Sequence, residues 1–199
     1  MKKIQSIPIL LIVLLSVFSI VVFFSCTENR TRKVTYTLGT DAQDIARIAN
    51  QENVESKESD AEFLSESAAN NLMEIKLAQL AQQKSRNEDI IMLGNLMEAE
   101  HIKALQEVKT LAAGRHISIP ANIDDRTQKQ YDDLSGKTTD EFDREYTKLL
   151  VNGHKEVIML FEKRIRETKD IDINNWIEKT LPALRKHLEH SEICEKKCA

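Results

Sequence analysis

Three histidines and one glutamate carry the chemistry this sequence can offer. His101, His154 and His187 each fall where a helix should bury aliphatic side chains, and Glu74 is the one charged residue that leaves the wet face of its own helix. Neutral imidazoles and a carboxylate are ordinary ligands for zinc, iron, manganese or copper. Buried polar groups are costly unless paired, so three inward histidines need partners. A divalent transition metal, with zinc, iron or manganese expected first, is one solution. The other is a hydrogen-bonded network in which Glu74 accepts from an imidazole N–H and the remaining nitrogens pair with Tyr146, Asn71 or water.

The spacing of apolar residues turns these side chains inward. Between Asn87 and Gly114 the residues Ile90, Gly94, Met97, His101, Ala104, Val108 and Leu111 recur every third or fourth position, which puts His101 on the seam facing other helices. At about 100° per residue, Leu150, Val151, Val157, Ile158, Phe161 and Ile165 gather within roughly 60° of His154. Ile173, Trp176, Thr180, Ala183 and Leu184 gather on the side of His187. Glu58, Glu62, Glu66, Lys76 and Lys84 share a sector of about 80°, and Glu74 lies outside it beside Asn71, Ala78 and Ala81. Turn positions set the depth: Glu74 and His101 flank a turn near Arg86 with a height mismatch of ~4.5 Å, and His154 and His187 flank one near Ile171 with ~1.5 Å, at about 1.5 Å per residue. All four side chains are expected to meet at mid-height in a bundle.

The elements that must position them are helices. Five glycines and three prolines in 199 residues leave little material for turns, and charged residues at 30% with aromatics at 5% suit solvated helices. The expectation is an all-α, ferritin-like four-helix bundle occupying residues 58–198. The first helix runs from about Glu58 to Ser85, and the second starts at an Asn87 cap and stops at Gly114. A connection of about 24 residues containing Pro120 follows, then the capping box Thr138-Thr-Asp-Glu141 opens a helix continuing to about Lys169. Asp172 can cap the last helix, where Pro182 predicts a kink. Two helical hairpins joined by one long crossover is the ferritin-like connectivity.

The N-terminus reads as an address. Lys2 and Lys3 precede an uncharged run from Ile7 to Phe24, ending in Ser25-Cys26. This is an export signal, and Phe23-Phe24-Ser25-Cys26 resembles the lipobox of bacterial lipoproteins. Residues 1–25 are expected to be removed, Cys26 to carry lipid, and residues 26–57 to form a polar tether with a short helix at 41–54. An uncleaved membrane anchor is the alternative. Either way the partner is a membrane and the bundle faces an exported compartment; the lipoprotein reading expects the cell envelope, as an outer membrane lipoprotein exposed to periplasm or surface. The formal charge of −4, or −6 once Lys2 and Lys3 leave, gives no footprint for nucleic acid. No feature names a protein partner.

His190, Cys194 and Cys198 recur every four residues on one face of the last helix. They suggest a second metal set or, in an oxidising compartment, a disulfide. Cβ atoms at i and i+4 stand about 5–6 Å apart on a helix, beyond the roughly 3.5–4.5 Å a disulfide allows, so the expectation is a frayed last turn with a local or intermolecular disulfide. A di-iron carboxylate site needs two Glu-x-x-His pairs and two further glutamates, and only Glu98-x-x-His101 is present. No nucleophile elbow or phosphate-binding glycine loop occurs, so the chain reads as a binding protein rather than an enzyme.

A set of segments in fixed order carries a family resemblance. Asp60-Ala-Glu-Phe-Leu, the run from Glu74 to Ala81, Glu98-Ala-Glu-His101, Ile117-Ser-Ile-Pro120, Phe142-Asp-Arg-Glu-Tyr146, His154, Phe161-Glu162 and Thr180-Leu-Pro-Ala-Leu-Arg-Lys-His-Leu188 together resemble the bacterial family called domain of unknown function 4142. The resemblance implies an exported, ferritin-like four-helix bundle with no established activity. It also implies that Glu74, His101, His154 and His187 occupy the family's recurrent polar positions.

Overall fold

The computed structural model describes residues 42–198. The expected signal at 1–25, the lipidation site Cys26 and the start of the tether lie outside them. Five helices make up the described chain: α1 Ala42–Lys84, α2 Glu88–Ala113, α3 Asp125–Ser135, α4 Thr139–Glu167 and α5 Ile171–Cys198. Among the described residues there is no strand, and no helix is long and apolar enough to cross a membrane.

α1 starts earlier than its periodicity suggests. Its 43 residues contain no glycine or proline, so nothing in the covalent chain stops the helix between Ala42 and Lys84. Residues 42–57, expected as tether with a separate short helix, are its first turns. They bury no side chain, and Ile45 and Val54 stand in solvent there. Burial begins at Asp60 and then recurs at Phe63, Leu64, Ser67, Ala68, Asn71, Glu74, Leu77, Ala78 and Ala81, the three-and-four spacing of one inward stripe.

The other boundaries follow local chemistry. Asn87 caps α2 by accepting the Asp89 amide at 3.0 Å, and Glu141 accepts the Thr138 amide at 3.1 Å to open α4. The long connection is not bare, because Asp124 accepts the Thr127 amide at 2.7 Å and starts α3 within it. Asp170, not Asp172, caps α5: its Oδ1 accepts the amides of Asp172 and Ile173 at 3.0 and 3.1 Å. The same carboxylate is clamped by Arg115 from the end of α2. α5 runs unbroken through Pro182.

α1 packs on α2 and α4 on α5 as two hairpins, and the pairs α1–α4 and α2–α5 close the bundle. α3 lies against α1 and α4, so the crossover climbs that side of the molecule. The interior is divided. One apolar cluster holds Phe63, Leu105, Phe161, Ile173 and Trp176, with rings meeting at 5.0–5.8 Å, and the other holds Leu77, Ile90, Met97, Phe142 and Tyr146. Between them on the inward faces lie Asn71, Glu74, His101, His154 and His187, all buried.

α1 and α2 pack tightly at Gly94, where a Cβ would stand 3.0 Å from the Ala78 carbonyl oxygen and 3.3 Å from Gln82 Cγ. Replacing a helical glycine by alanine ordinarily gains about 1 kcal/mol. Here the backbone contact should reverse the sign. Gly94→Ala is expected to lower unfolding stability by about 1–3 kcal/mol, measured by urea denaturation, and an increase would show that the hairpin is looser than this contact implies.

Candidate metal centre

The three histidines come from three helices and one level of the bundle. His101 follows Met97 by one turn of α2, His154 follows Leu150 on α4, and His187 follows Leu184 on α5, all buried positions of inward stripes. Their relative exposures are 6%, 2% and 4%. Ring centres stand 5.7 Å apart for His101 and His154, 5.2 Å for His101 and His187, and 5.3 Å for His154 and His187. Imidazoles bound tetrahedrally at about 2.0–2.1 Å put ring centres roughly 5 Å apart. One nitrogen from each ring lies within 4.8 Å of the other two, and among the described residues this is the one group of three or more histidines, cysteines or carboxylates so arranged.

Each ring is held from outside by its other nitrogen. His101 Nδ1 is 2.9 Å from Asn71 Oδ1, and the Asn71 amide nitrogen is already committed to the Ser67 carbonyl at 2.7 Å. His154 Nδ1 is 2.9 Å from the Leu150 carbonyl oxygen, and His187 Nε2 is 2.7 Å from Glu100 Oε2. All three partners can only accept, so the three outer nitrogens must be the N–H donors. A neutral ring has one N–H. The inner nitrogens, His101 Nε2, His154 Nε2 and His187 Nδ1, are then bare lone pairs, and each is buried without a hydrogen-bond partner.

Burial keeps the rings neutral. It is the leading cause that pushes His154 down to about 4, His101 well below the usual histidine range, and His187 down against the pull of Glu100. The rings of His154 and His187 lower His101 further, because three imidazolium ions cannot share so small a space. The cavity they line has a volume of about 60 Å³, room for one ion with a bound water or for about two waters.

Glu74 borders the same cavity but does not join the nitrogen group. Its Oε2 is buried and without a partner, as is the Tyr146 hydroxyl, and burial raises the Glu74 carboxyl to about 8. The expected network with Glu74 accepting from an imidazole is not formed, since every imidazole N–H is spent on Asn71, Leu150 or Glu100. Asn71 does pair with a histidine, as that network proposed; Tyr146 does not. Glu98, the carboxylate of the only Glu-x-x-His pair, turns away and accepts from Gln79 and Gln82, each at 2.7 Å. Glu100 takes the anchoring role instead. It sits in the polar sector of α2, and only the packing of α2 on α5 brings it to His187.

The second cluster is not assembled as expected. α5 continues intact to Cys198, and Cys194 and Cys198 are free thiols, one buried and one half-buried. Burial raises both above the usual cysteine range, the opposite of what a reactive thiolate needs. His190 is exposed and belongs to no ligand group. The expected frayed turn is not found, because packing with Phe142 and Tyr146 holds the last turns of the helix.

A family model described as Domain of unknown function (DUF4142) matches residues 46–193. No curated protein and no solved structure matches the chain.

The titrations make the ion-free protein's stability peak near neutral pH, where two opposing slopes meet. Glu74 binds its proton more tightly when folded, its carboxyl rising from 4.5 to about 8, so stability falls with rising pH once the unfolded imidazoles have lost their protons, between about 7 and 8. Below about pH 7 the unfolded histidines take up protons that folded His154 refuses until about pH 4. Three such groups outweigh one carboxyl, and stability is lost towards acid. Urea denaturation of chelator-treated protein from pH 5 to 8 checks this. Glu74→Gln should remove the alkaline limb, and a limb that persists in that variant would assign it elsewhere.

Proposed function

For a chain that belongs to the family described as domain of unknown function 4142, we propose that the bundle binds one divalent transition metal through His101, His154 and His187. The observation that carries this is a group of three buried histidines with one nitrogen of each within 4.8 Å of the others, every ring anchored through one nitrogen and left without a partner at the other. Anchoring the far N–H on a carbonyl or carboxylate is how proteins orient metal-bound imidazoles and raise their basicity. Three acceptors cannot satisfy one another. Leaving each bare would cost about 1–3 kcal/mol, so the arrangement calls for a cation or a donor at its centre.

Nitrogen ligands suit zinc, iron and manganese in that order of preference for a set with a single carboxyl nearby. Three protein ligands leave a fourth position open, and Glu74 borders it. Its carboxyl would ionise beside a bound cation, supplying charge that burial alone forbids. The site's chemistry is binding first; the chain is proposed as a metal-binding protein rather than an enzyme.

The proposed setting is the cell envelope. Support comes from the basic start, the uncharged run from Ile7 to Phe24 and Cys26, which favour an exported lipoprotein tethered to a membrane. The rival function is a structural module in which the polar layer fixes helix register. The Asn71–His101 and Glu100–His187 bonds, which cross between helices, would serve that role.

Protein purified without an affinity tag should contain about one equivalent of metal by elemental analysis, lost in His154→Ala. Adding the ion at 100 times its Kd to stripped protein should stabilise it by about 2.7 kcal/mol, a rise of roughly 5–10 °C in Tm for a domain of this size. A metal-free wild type that zinc, iron and manganese all fail to stabilise would favour the structural module.

A further inference from the structure

A buried centre needs a way in, and two surface depressions touch the histidine cavity. On the α2–α5 side a depression of about 210 Å³ shares Glu100, Ala104, Thr180 and Ala183 with it. On the α1–α4 side, beneath α3, a groove of about 500 Å³ shares Asn70, Glu74 and Val157. They differ in charge and in what blocks them. The smaller one balances Lys103 and Lys179 against Glu100 and Glu107, with Lys179 paired to Glu107 at 2.9 Å, and its inner wall is closed by the hydrogen bond of Glu100 to His187 at 2.7 Å. The larger one carries Glu66, Asp124 and Glu156 against the single cation Arg126, with no lysine.

The floor of the larger groove has a gap. Gly153 lies on α4 directly before His154, and a Cβ built there would meet only Glu74 Oε1, at 3.6 Å. Any longer side chain at 153 would fill the space between groove and carboxyl. Glu74 itself is 95% buried, its exposure being 5%, with Oε2 unpartnered, and it lines both the groove and the histidine cavity.

We propose that the α1–α4 groove is the entry vestibule for a hydrated divalent cation, with Gly153 as its aperture and Glu74 as the carboxyl that receives the ion before the histidines do. This rests on the metal-binding reading above and adds its route. The vestibule's carboxylates draw cations from solution, since a cleft lined by one sign of charge raises local counter-ion concentration and association rates by about 10–1,000-fold. The groove, at about 500 Å³ against about 60 Å³ inside, is the roomier place for water shed by the ion. The opposite depression, with its lysines matched by Glu100 and Glu107, offers no such surplus of negative charge.

The test is the rate at which stripped protein takes up aqueous cobalt(II), followed by its visible absorption in a stopped-flow instrument, with final occupancy measured separately. Gly153→Leu should slow uptake at least about tenfold while the final spectrum and stoichiometry stay those of the wild type. The surface pair Glu66→Gln with Glu156→Gln, which leaves the interior untouched, should slow uptake several-fold at low salt and lose most of the salt dependence. Lys103→Gln with Lys179→Gln should not slow it. A Gly153→Leu protein that loads as fast as the wild type overturns the route while leaving the metal site standing. If Gly153→Leu misfolds by circular dichroism, the carboxylate pair decides alone, and unchanged uptake by that pair overturns the route. A wild type that takes up no cobalt removes the metal reading, and the route goes with it.

Discussion

Three lone pairs facing one small cavity are the constraint on which the rest of the molecule turns. Each exists because the opposite ring nitrogen is committed to an atom that can only accept: Asn71 Oδ1, the Leu150 carbonyl oxygen and Glu100 Oε2. These anchors are local to three helices, yet their product is shared by all of them. The apolar interior is interrupted at this level, with Phe63, Phe161 and Trp176 in one cluster and Phe142, Tyr146 and Met97 in the other. A polar layer so placed resists sliding of one helix along another, because a one-residue shift would separate donor from acceptor and leave both buried.

The electrostatics of the layer follow from dryness rather than from paired charges. Burial dominates the shift of each histidine and of Glu74. At neutral pH it leaves three uncharged rings and, for the most part, an uncharged acid. This is a poor place for any charge alone and a favourable one for a cation and a carboxylate together. Beside a bound positive ion the Glu74 carboxyl would give up its proton, and the carboxylate would offset the ion's loss of water. The ionic contacts elsewhere do a different job. Arg164 with Asp60 and Arg115 with Asp170 fasten the end of the bundle where the α4–α5 turn meets the end of α2.

Much of this was legible from residue order. The three-and-four spacing of Ile90, Met97, His101 and Val108 is enough to turn His101 inward, and the crowding of Val151, Ile158 and Phe161 about His154 does the same for α4. The caps at Asn87 and Thr138 and the stop at Gly114 fix two hairpins, and the family match over residues 46–193 agrees with the resemblance carried by the ordered segments between Asp60 and Leu188. What escaped was whatever depends on two helices at once. Glu100 looks like part of a wet face until α5 packs beside it. Glu74 is expected with the ligands, whereas it lines the histidine cavity outside the nitrogen group, a difference that turn counting cannot resolve. The short helix expected at 41–54 and the one expected from Glu58 are a single α1, because no glycine or proline stops the chain between them. The fraying expected at Cys194 and Cys198 follows from compartment chemistry, while packing keeps the last turns of α5 helical.

The protonation pattern of the three rings can be observed directly. Long-range proton–nitrogen correlation spectra of ion-free protein at neutral pH should show three neutral imidazoles, with His101 and His154 carrying hydrogen on Nδ1 and His187 on Nε2. On adding zinc the three bare nitrogens should shift together at one equivalent. A ring found positively charged, or one with its hydrogen on the inner nitrogen, would mean that the lone pairs do not converge, and the account of this interior as a place for a metal ion would fail.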